Sequence, residues 1–213
     1  MTTDELIAAL ATASGPVRGR AVARTVVMGT ATGLIGALGL MLAVLGMRHD
    51  WLAALALPMF WVKLLFAGSA CVAALVLTSR LGQPGRPIGA AVCAALAPVI
   101  VVWLAALFML VDATADARMP LLLGSTWAVC PWLIALIALP ALVAAMWVQR
   151  QLAPTRLRMA GAAAGFLAGS LGTLVYALHC PEMALPFIAL WYVLGMAIPA
   201  VVGALLGPRL LRW

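Results

Sequence analysis

The side chains best suited to chemistry in this sequence are a few thiols, imidazoles and carboxylates set among long apolar segments. Cys130 comes shortly after Trp127, and Cys180 lies in the run His179-Cys180-Pro181-Glu182. Thiolate, imidazole and carboxylate groups are ligands for soft or borderline divalent metals, and two thiols can instead form a disulfide in an oxidising compartment. Spacing alone does not choose between a metal site, a disulfide and a structural or incidental role for the two cysteines.

The sequence contains no motif typical of an enzyme, because HExxH, CxxC and the nucleophile elbow are all missing. We therefore predict that the protein is not an enzyme and has no obligatory cofactor, with a divalent or heavy-metal ion at Cys130 and Cys180 as the one candidate. The formal net charge of +7 is weak support for nucleic-acid binding, because basic residues accumulate in the cytoplasmic loops of membrane proteins. We expect no direct contact with nucleic acid.

The composition is typical of a membrane protein. Apolar residues fill 66% of the 213 positions and charged residues only 9%, with a mean hydropathy of +1.16, whereas soluble domains carry about 25% charged residues. About 20 consecutive apolar residues are enough to span a bilayer. Six segments between the charged residues meet this length, and they are 25–47, 51–79, 87–111, 119–149, 159–178 and 183–208.

The arginines predict the orientation of these six helices. Ten of them lie before the first span, after the second, after the fourth and after the last, whereas only Arg48 and Arg118 lie in the opposite loops. Because cytoplasmic loops are rich in arginine, both termini are expected in the cytoplasm. The chain then divides into a cytoplasmic segment 1–24, an all-α bundle of six transmembrane helices over 25–208 and a cytoplasmic tail 209–213. The first span is long enough to remain as an anchor rather than a cleaved signal peptide.

This topology sorts the cysteines by depth. Cys130 and Cys180 are expected at the same level near the outer face, with His179 beside them, whereas Cys71 and Cys93 fall inside spans. Cysteines inside spans are expected to behave as small buried hydrophobic residues.

Lys63 is the one charged residue that interrupts a predicted span, and charges inside a membrane are costly and frequently functional. Because it follows Pro58 closely on the outer side, we favour a side chain that snorkels outward or pairs with a carboxylate such as Asp112 or Glu182. The alternative is a structural or signalling role within the bundle, for which Trp127 is a second candidate.

The fifth predicted span carries Gly161, Gly165 and Gly169 at intervals of four residues. One face of this helix is therefore nearly bare of side chains, which lets another helix approach closely. Packing within the chain is the favoured interpretation and a homodimer face is the alternative, so the oligomeric state is left open.

The first residues predict a short amphipathic helix. Thr2 and Glu5 have the spacing of a capping box, and Asp4 adds a second acidic group. The apolar edge of the helix consists of Leu6, Ile7 and Leu10. Helices that lie on membranes favour basic polar faces, so an interfacial tether and a cytoplasmic protein partner are equally favoured.

Seven segments spread over essentially the whole chain carry a resemblance to a known family. They are Asp4-Glu5-Leu6-Ile7, Pro58-Met59-Phe60-Trp61-Val62-Lys63-Leu64, Gly124-Ser125-Thr126-Trp127-Ala128-Val129-Cys130, Ala153-Pro154-Thr155-Arg156, Tyr176-Ala177-Leu178-His179-Cys180-Pro181-Glu182, Trp191-Tyr192 and Gly207-Pro208-Arg209-Leu210-Leu211-Arg212-Trp213. Together they resemble the NrsF-type integral-membrane anti-sigma factors, which hold extracytoplasmic-function sigma factors in proteobacteria.

The resemblance implies that the protein sequesters an extracytoplasmic-function sigma factor at the bacterial inner membrane and frees it under metal or oxidative stress. It also implies that the paired cysteines, which match Cys130 and Cys180, act in sensing, and that the N-terminal segment binds the sigma factor. The implied partners are the sigma factor and the lipid bilayer. A small transporter of metal ions or another solute is the alternative, although the spans offer neither paired carboxylates nor broken-helix repeats.

Overall fold

The computed structural model describes residues 2–13, 19–152 and 154–212, and all regular structure within them is helical, without strands. The helices, in chain order, are α1 (Thr3–Ala13), α2 (Gly19–Val44), α3 (Trp51–Leu55), α4 (Pro58–Leu81), α5 (Gly89–Asp112), α6 (Ala115–Leu123), α7 (Cys130–Ile137), α8 (Leu139–Gln151), α9 (Leu157–Tyr176), α10 (Leu185–Phe187) and α11 (Val193–Leu210). A π-helical turn, Ile188–Tyr192, joins α10 to α11.

Five helical segments are long and apolar enough to cross a membrane. They are Val22–Val44 of α2, then α4, α5 and α9, and the continuous segment Leu185–Leu210 that contains α10, the π turn and α11. The pair α7 and α8 qualifies together but is bent by 47°. The all-helical membrane fold is therefore confirmed, with six spans if the bent pair counts as one.

The second predicted span is wrong at its beginning, because α3 and α4 are separate helices. Pro58 is the first residue of α4, a position that suits its fixed φ and its missing N–H. A proline also disfavours helical geometry in the residue before it, and Leu57 is extended. The continuous helix expected from residue 51 is therefore broken just before Pro58.

The fourth predicted span, expected as one helix over 119–149, is also wrong. Helix α6 ends before Gly124, whose φ of 55° lies in the left-handed region, and α7 begins only at Cys130. The bend between α7 and α8 falls just before Pro140, which has no N–H to continue the hydrogen-bond pattern. Hydropathy alone does not reveal these two breaks.

Helix α9 forms the centre of the bundle, because 78% of its apolar 18-residue stretch is buried. Its glycine face packs against α11 of the same chain: Gly161 faces the backbone carbonyl of Gly203, and a Cβ on Gly169 would lie 2.7 Å from the Cα of Met196. Gly165 lies between them in equally close contact. The absence of side chains here lets the two backbones touch.

The bundle has two chemically different ends. At the arginine end, defined by Arg80, Arg86, Arg150 and Arg156, α4 and α8 finish and α5 and α9 begin. Gly29, in the first half of α2, packs beside Val148 in the last part of α8, and the last turn of α11 lies against the beginning of α9. The thiol end, opposite, holds the loops that carry Cys130 and Cys180.

Candidate functional site

The site at the thiol end is built around Cys130 and Cys180, which the fold brings together. Cys130 is the first residue of α7, and Cys180 follows α9 in a turn where its amide donates to the Tyr176 carbonyl at 2.9 Å. Both side chains are completely buried and both thiols are free. The structure thus brings next to each other the two cysteines that the sequence predicts at the same depth near the outer face.

The surroundings of Cys180 favour a negatively charged sulfur. The neighbouring Cys130 thiol lowers the pKa of Cys180 from its ordinary 9.0 to about 6 despite burial, with help from the Tyr192 hydroxyl and the Lys63 amine. The Tyr192 hydroxyl is buried and meets no other hydrogen-bond partner within the described residues. These neighbours therefore favour the thiolate form of Cys180.

Lys63 is completely buried beside this pair. Its Nζ donates to the carbonyl oxygens of Cys180 at 2.8 Å and Glu182 at 3.2 Å, and it lies 5.8 Å from the centre of the Phe60 ring. The favoured expectation was that Lys63 snorkels outward or pairs with a carboxylate such as Asp112 or Glu182, and its complete burial shows that snorkelling is wrong. Its bond to Glu182 is made to the backbone carbonyl and not to the carboxylate. Backbone carbonyls of a distant loop satisfy the amine instead, and they fix that loop to α4.

The Glu182 side chain points to a different element. Its Oε1 accepts hydrogen bonds from the Ser125 amide at 2.7 Å and the Ser125 hydroxyl at 2.6 Å, with a longer bond from Thr126 at 3.4 Å. These residues follow the left-handed Gly124, so Glu182 ties the loop after α9 to the turn that precedes α7. Both thiols thus lie on segments that are joined by one carboxylate.

The four predicted metal ligands are not assembled into one shell. Within the described residues no group of three or more histidine, cysteine, aspartate or glutamate side chains is placed to hold a metal ion. Glu182 is engaged with Ser125, and Nδ1 of His179 lies 3.0 Å from the Gly46 carbonyl oxygen. Two adjoining thiols remain as the donor set.

Arg48 adds a second basic side chain near Cys180. It forms an ion pair with Asp50 at 2.7 Å, which lowers the pKa of Asp50 and raises that of Arg48. The Arg48 side chain is only 8% exposed, and its Nη1 has no hydrogen-bond partner within the described residues. The neighbourhood of Cys180 therefore contains two basic side chains, Lys63, which is completely buried, and Arg48, which is largely buried.

Trp127, the second candidate for signalling, stacks on the last transmembrane segment. Its ring centre lies 5.5 Å from that of Trp191, and the Trp191 indole donates to the Leu122 carbonyl at 2.8 Å. The turn between α6 and α7 is therefore attached both to the π turn, through Trp191, and to the Cys180 loop, through Glu182.

The N-terminal helix α1 has the predicted capping box. The Thr2 amide donates to Glu5 at 2.8 Å, and the Glu5 amide donates to the Thr2 hydroxyl at 3.3 Å. Leu6 and Ile7 are 42% and 59% exposed, and Asp4 is exposed beside them. Leu10 lies in α1, but its side chain is outside the described part of the chain. The helix thus presents apolar and acidic side chains on its surface.

Sequence reasoning missed both tyrosines of the site. Tyr176 and Tyr192 are almost completely buried, with ring centres 6.0 Å apart, and both adjoin the thiols. They are also the only tyrosines in the chain. That scarcity, in a sequence with eight tryptophans and five phenylalanines, is the signal that could have identified them.

Comparison with known proteins shows which family this chain resembles. A family described as "Negative regulator of sigma F" matches residues 10–213. The chain is 45% identical over 213 residues to the "Probable anti-sigma-F factor NrsF" of Azospira oryzae, and 36% identical over 220 residues to the "Anti-sigma-F factor NrsF" of Caulobacter vibrioides. Each alignment covers the whole of both chains. No solved structure matches the chain.

Proposed function

The chain belongs to the NrsF family of negative regulators of sigma F, and we propose that it is an anti-sigma factor that holds an extracytoplasmic-function sigma factor at the bacterial inner membrane. Release follows from modification of Cys130 and Cys180 under metal or oxidative stress. The anti-sigma role is supported by the full-length match to both relatives. The observation that carries the release mechanism is the buried pair of free thiols. The transporter alternative gains no support from these relatives.

Two modifications fit two adjoining thiols. A soft metal ion displaces the remaining thiol protons and bridges both sulfurs, because thiolates are the preferred ligands of such ions. A peroxide takes two electrons from the pair, so that the Cys180 thiolate and the Cys130 thiol form a disulfide, while the peroxide and the one thiol proton become water and hydroxide. Either change fixes the beginning of α7 to the loop after α9 and removes the negative charge that Lys63 faces.

Lys63 is suited to pass this change along α4. Its bonds to the Cys180 and Glu182 carbonyls attach one end of the helix to the sensor loop. Near the other end, the Thr78 hydroxyl donates to the Ala163 carbonyl of α9 at 3.1 Å, and Gln149 of α8 donates to the Thr78 carbonyl at 3.2 Å. A signal shifts a conformational equilibrium only if the two states accommodate it differently. Loss of the Lys63 contacts in one state supplies that difference.

The orientation follows from the arginines. With the arginine end in the cytoplasm, the start of α2 and the end of α11 face the sigma factor and the thiol end faces the periplasm. Helix α1 is then the sigma-binding element, with Leu6, Ile7 and Leu10 as apolar anchors and Asp4 and Glu5 opposite basic residues of the partner. Apolar anchors usually dominate such contacts, and charges at the rim tune them.

Two measurements test this function. The first is co-purification of the sigma factor with the full-length membrane protein, compared with a variant that lacks residues 2–14. The second is sigma-dependent transcription in cells that carry Cys130→Ser, Cys180→Ser or both, treated with cadmium or with hydrogen peroxide in separate arms. We expect the deletion to lose the sigma factor. The cysteine variants should keep it but lose induction, and the double variant should resemble the singles because the thiols act as a unit.

Matched controls come from the other two cysteines. Cys71 is half-buried, whereas the prediction that Cys93 is buried is wrong, because Cys93 is exposed on α5. Neither cysteine belongs to the thiol pair, so Cys71→Ser and Cys93→Ser should leave induction unchanged. Full induction in both Cys130→Ser and Cys180→Ser would reject the sensor while leaving the anti-sigma role intact. Failure of the intact protein to retain any sigma factor would reject the anti-sigma role itself.

A further inference from the structure

A long apolar groove runs between α4 and α5, away from the thiol site. It has a volume of about 1380 Å³ and opens on the surface of the bundle. One wall is a single face of α4, formed by Leu65, Ser69, Val72 and Val76, and the other wall is a face of α5, formed by Ala94, Ala97, Val101 and Ala105. The small side chains on α5 keep this groove open. It therefore has the cross-section of a narrow apolar channel along the bundle surface.

A basic pocket lies at the arginine end of the same two helices. It has a volume of about 320 Å³, and Arg80, Arg86 and Arg156 contribute to its wall. Arg80 is held in place by donating to the Pro87 carbonyl at 3.2 Å. Arg86 and Arg156 are exposed, and no hydrogen bond or ion pair engages either side chain within the described residues. Three arginines therefore line one small pocket.

The groove and the pocket are separate cavities with different lining residues, and they lie next to each other along α4. Arg80 follows Val76 by four residues, so it extends the groove-lining face by one helical turn. On the other wall, Ile88 lines the basic pocket and Ala94 lines the groove, so the beginning of α5 connects the two. A molecule that fills both must be anionic at one end and a long apolar chain at the other.

We propose that this surface is a binding site for an anionic phospholipid, with the phosphate at the three arginines and one acyl chain in the groove. Arginine matches phosphate oxygens with paired donors, and basic pockets between transmembrane helices on the cytoplasmic side bind anionic headgroups. The groove residues from Trp61 to Val76 span about 22 Å of helix. That length exceeds the roughly 15 Å that one leaflet contributes to the hydrocarbon core.

Other occupants match only half of the site. An acidic segment of a protein would satisfy the arginines, but it would not extend into an apolar groove at membrane depth. A helix from a second copy would fill the groove, but the spans of this chain carry no acidic residue at the arginine end. The lipid is the occupant that satisfies both the charge and the apolar surface.

The test uses the full-length protein in a neutral detergent, with phosphatidylglycerol and phosphatidylcholine as probes and native mass spectrometry as the readout. The intact protein should bind phosphatidylglycerol saturably and prefer it to phosphatidylcholine. The double variant Arg86→Gln/Arg156→Gln should bind it at least tenfold more weakly, because each basic side chain near an anionic lipid contributes a factor of about five. The matched control, Arg158→Gln/Arg209→Gln, removes the same charge at the same end outside the pocket and should bind normally.

A second variant tests the groove without altering charge. Gly68 lines the groove, and a Cβ there meets no atom within 4 Å, so Gly68→Leu begins its side chain in open space and occupies part of the groove. It should weaken phosphatidylglycerol binding, whereas millimolar inorganic phosphate should not displace the lipid from the intact protein. Equal binding of the two lipids, equal loss in the control variant or displacement by phosphate would overturn the proposal. So would arginine variants that lose the sigma factor but retain the lipid, since the pocket would then serve a protein.

Discussion

The ionisation of Cys180 depends on Cys130. Removing Cys130 should therefore change how the reactivity of the Cys180 thiol varies with pH. In the intact protein the Cys130 thiol is the largest single cause that lowers the pKa of Cys180 to about 6. Cys130→Ala removes this donor but leaves the burial of Cys180, which opposes ionisation. The pKa of Cys180 should therefore rise towards its ordinary 9.0. Cys130→Ser keeps a hydroxyl donor at the same place. The pKa of Cys180 in this variant should therefore lie between its values in the intact protein and in Cys130→Ala.

The expected size of the effect follows from the two pKa values. At pH 7 the thiolate fraction falls from about nine-tenths to about one-hundredth if the pKa returns fully to 9.0. A thiolate of higher pKa is intrinsically more nucleophilic, by roughly twentyfold for this change. The reaction rate of Cys180 in Cys130→Ala is then about fourfold lower than in the intact protein at pH 7 and about fortyfold lower at pH 5. The pH profiles of the two proteins cross at about pH 8.

The assay is the rate of alkylation of Cys180 by iodoacetamide between pH 4.5 and 10, measured by mass spectrometry of the peptide that contains it. A background with Cys71→Ser and Cys93→Ser removes the other sites. Because Cys180 is completely buried, opening of the site lowers all absolute rates, so the midpoint of each pH profile is the quantity to compare. Superimposable profiles for the intact protein and Cys130→Ala would refute the reasoning, as would a midpoint near pH 9 in the intact protein.

Three further outcomes follow from the packing. Lys63→Met leaves the buried Cys180 carbonyl without its donor, at a cost of about 1–3 kcal/mol, and also releases the partly buried Glu182 carbonyl. Amide hydrogen exchange over 177–184 should therefore accelerate while the centre of α9 stays protected. Leu6→Ala/Ile7→Ala removes two exposed apolar side chains of α1, and sigma-dependent transcription should rise without a lower membrane level of the protein. Gly165→Leu places a side chain against the backbone of α11 and should lower the melting temperature in detergent by several degrees, consistent with an overpacking cost of about 1–3 kcal/mol. Gly39→Leu, where a Cβ meets nothing within 4 Å, is its control and should melt normally.

Hydropathy and local spacing were sufficient to predict the features that depend on a few neighbouring residues. The spans on α2, α5 and α9 lie within a few residues of their predicted positions, because a bilayer demands a minimum apolar length whatever the tertiary fold. The capping box at Thr2 and Glu5 is confirmed, since both partners lie within one helical turn. Such features need no knowledge of the rest of the chain.

Features that depend on distant partners could not be predicted. Lys63 was expected to reach outward because the sequence offers no hint that the Cys180 and Glu182 carbonyls, more than 100 positions away, accept its hydrogen bonds. Tyr192 was missed because the π turn at Ile188–Tyr192 inserts an extra residue into the helical repeat. Such insertions change which side chains face the core, and they occur frequently at functional sites.

The small number of polar contacts explains why a change at two sulfurs can matter for the whole bundle. Apolar side chains pack about as well against lipid as against each other, so they do not by themselves fix one arrangement of helices. The glycine contact locks α9 to α11, but α4 is attached by Lys63 at one end and Thr78 at the other. Buried polar bonds of this kind are costly to leave unsatisfied. In the proposed release mechanism, removal of the charge that Lys63 faces therefore acts on one of the polar contacts that hold α4 within the described residues.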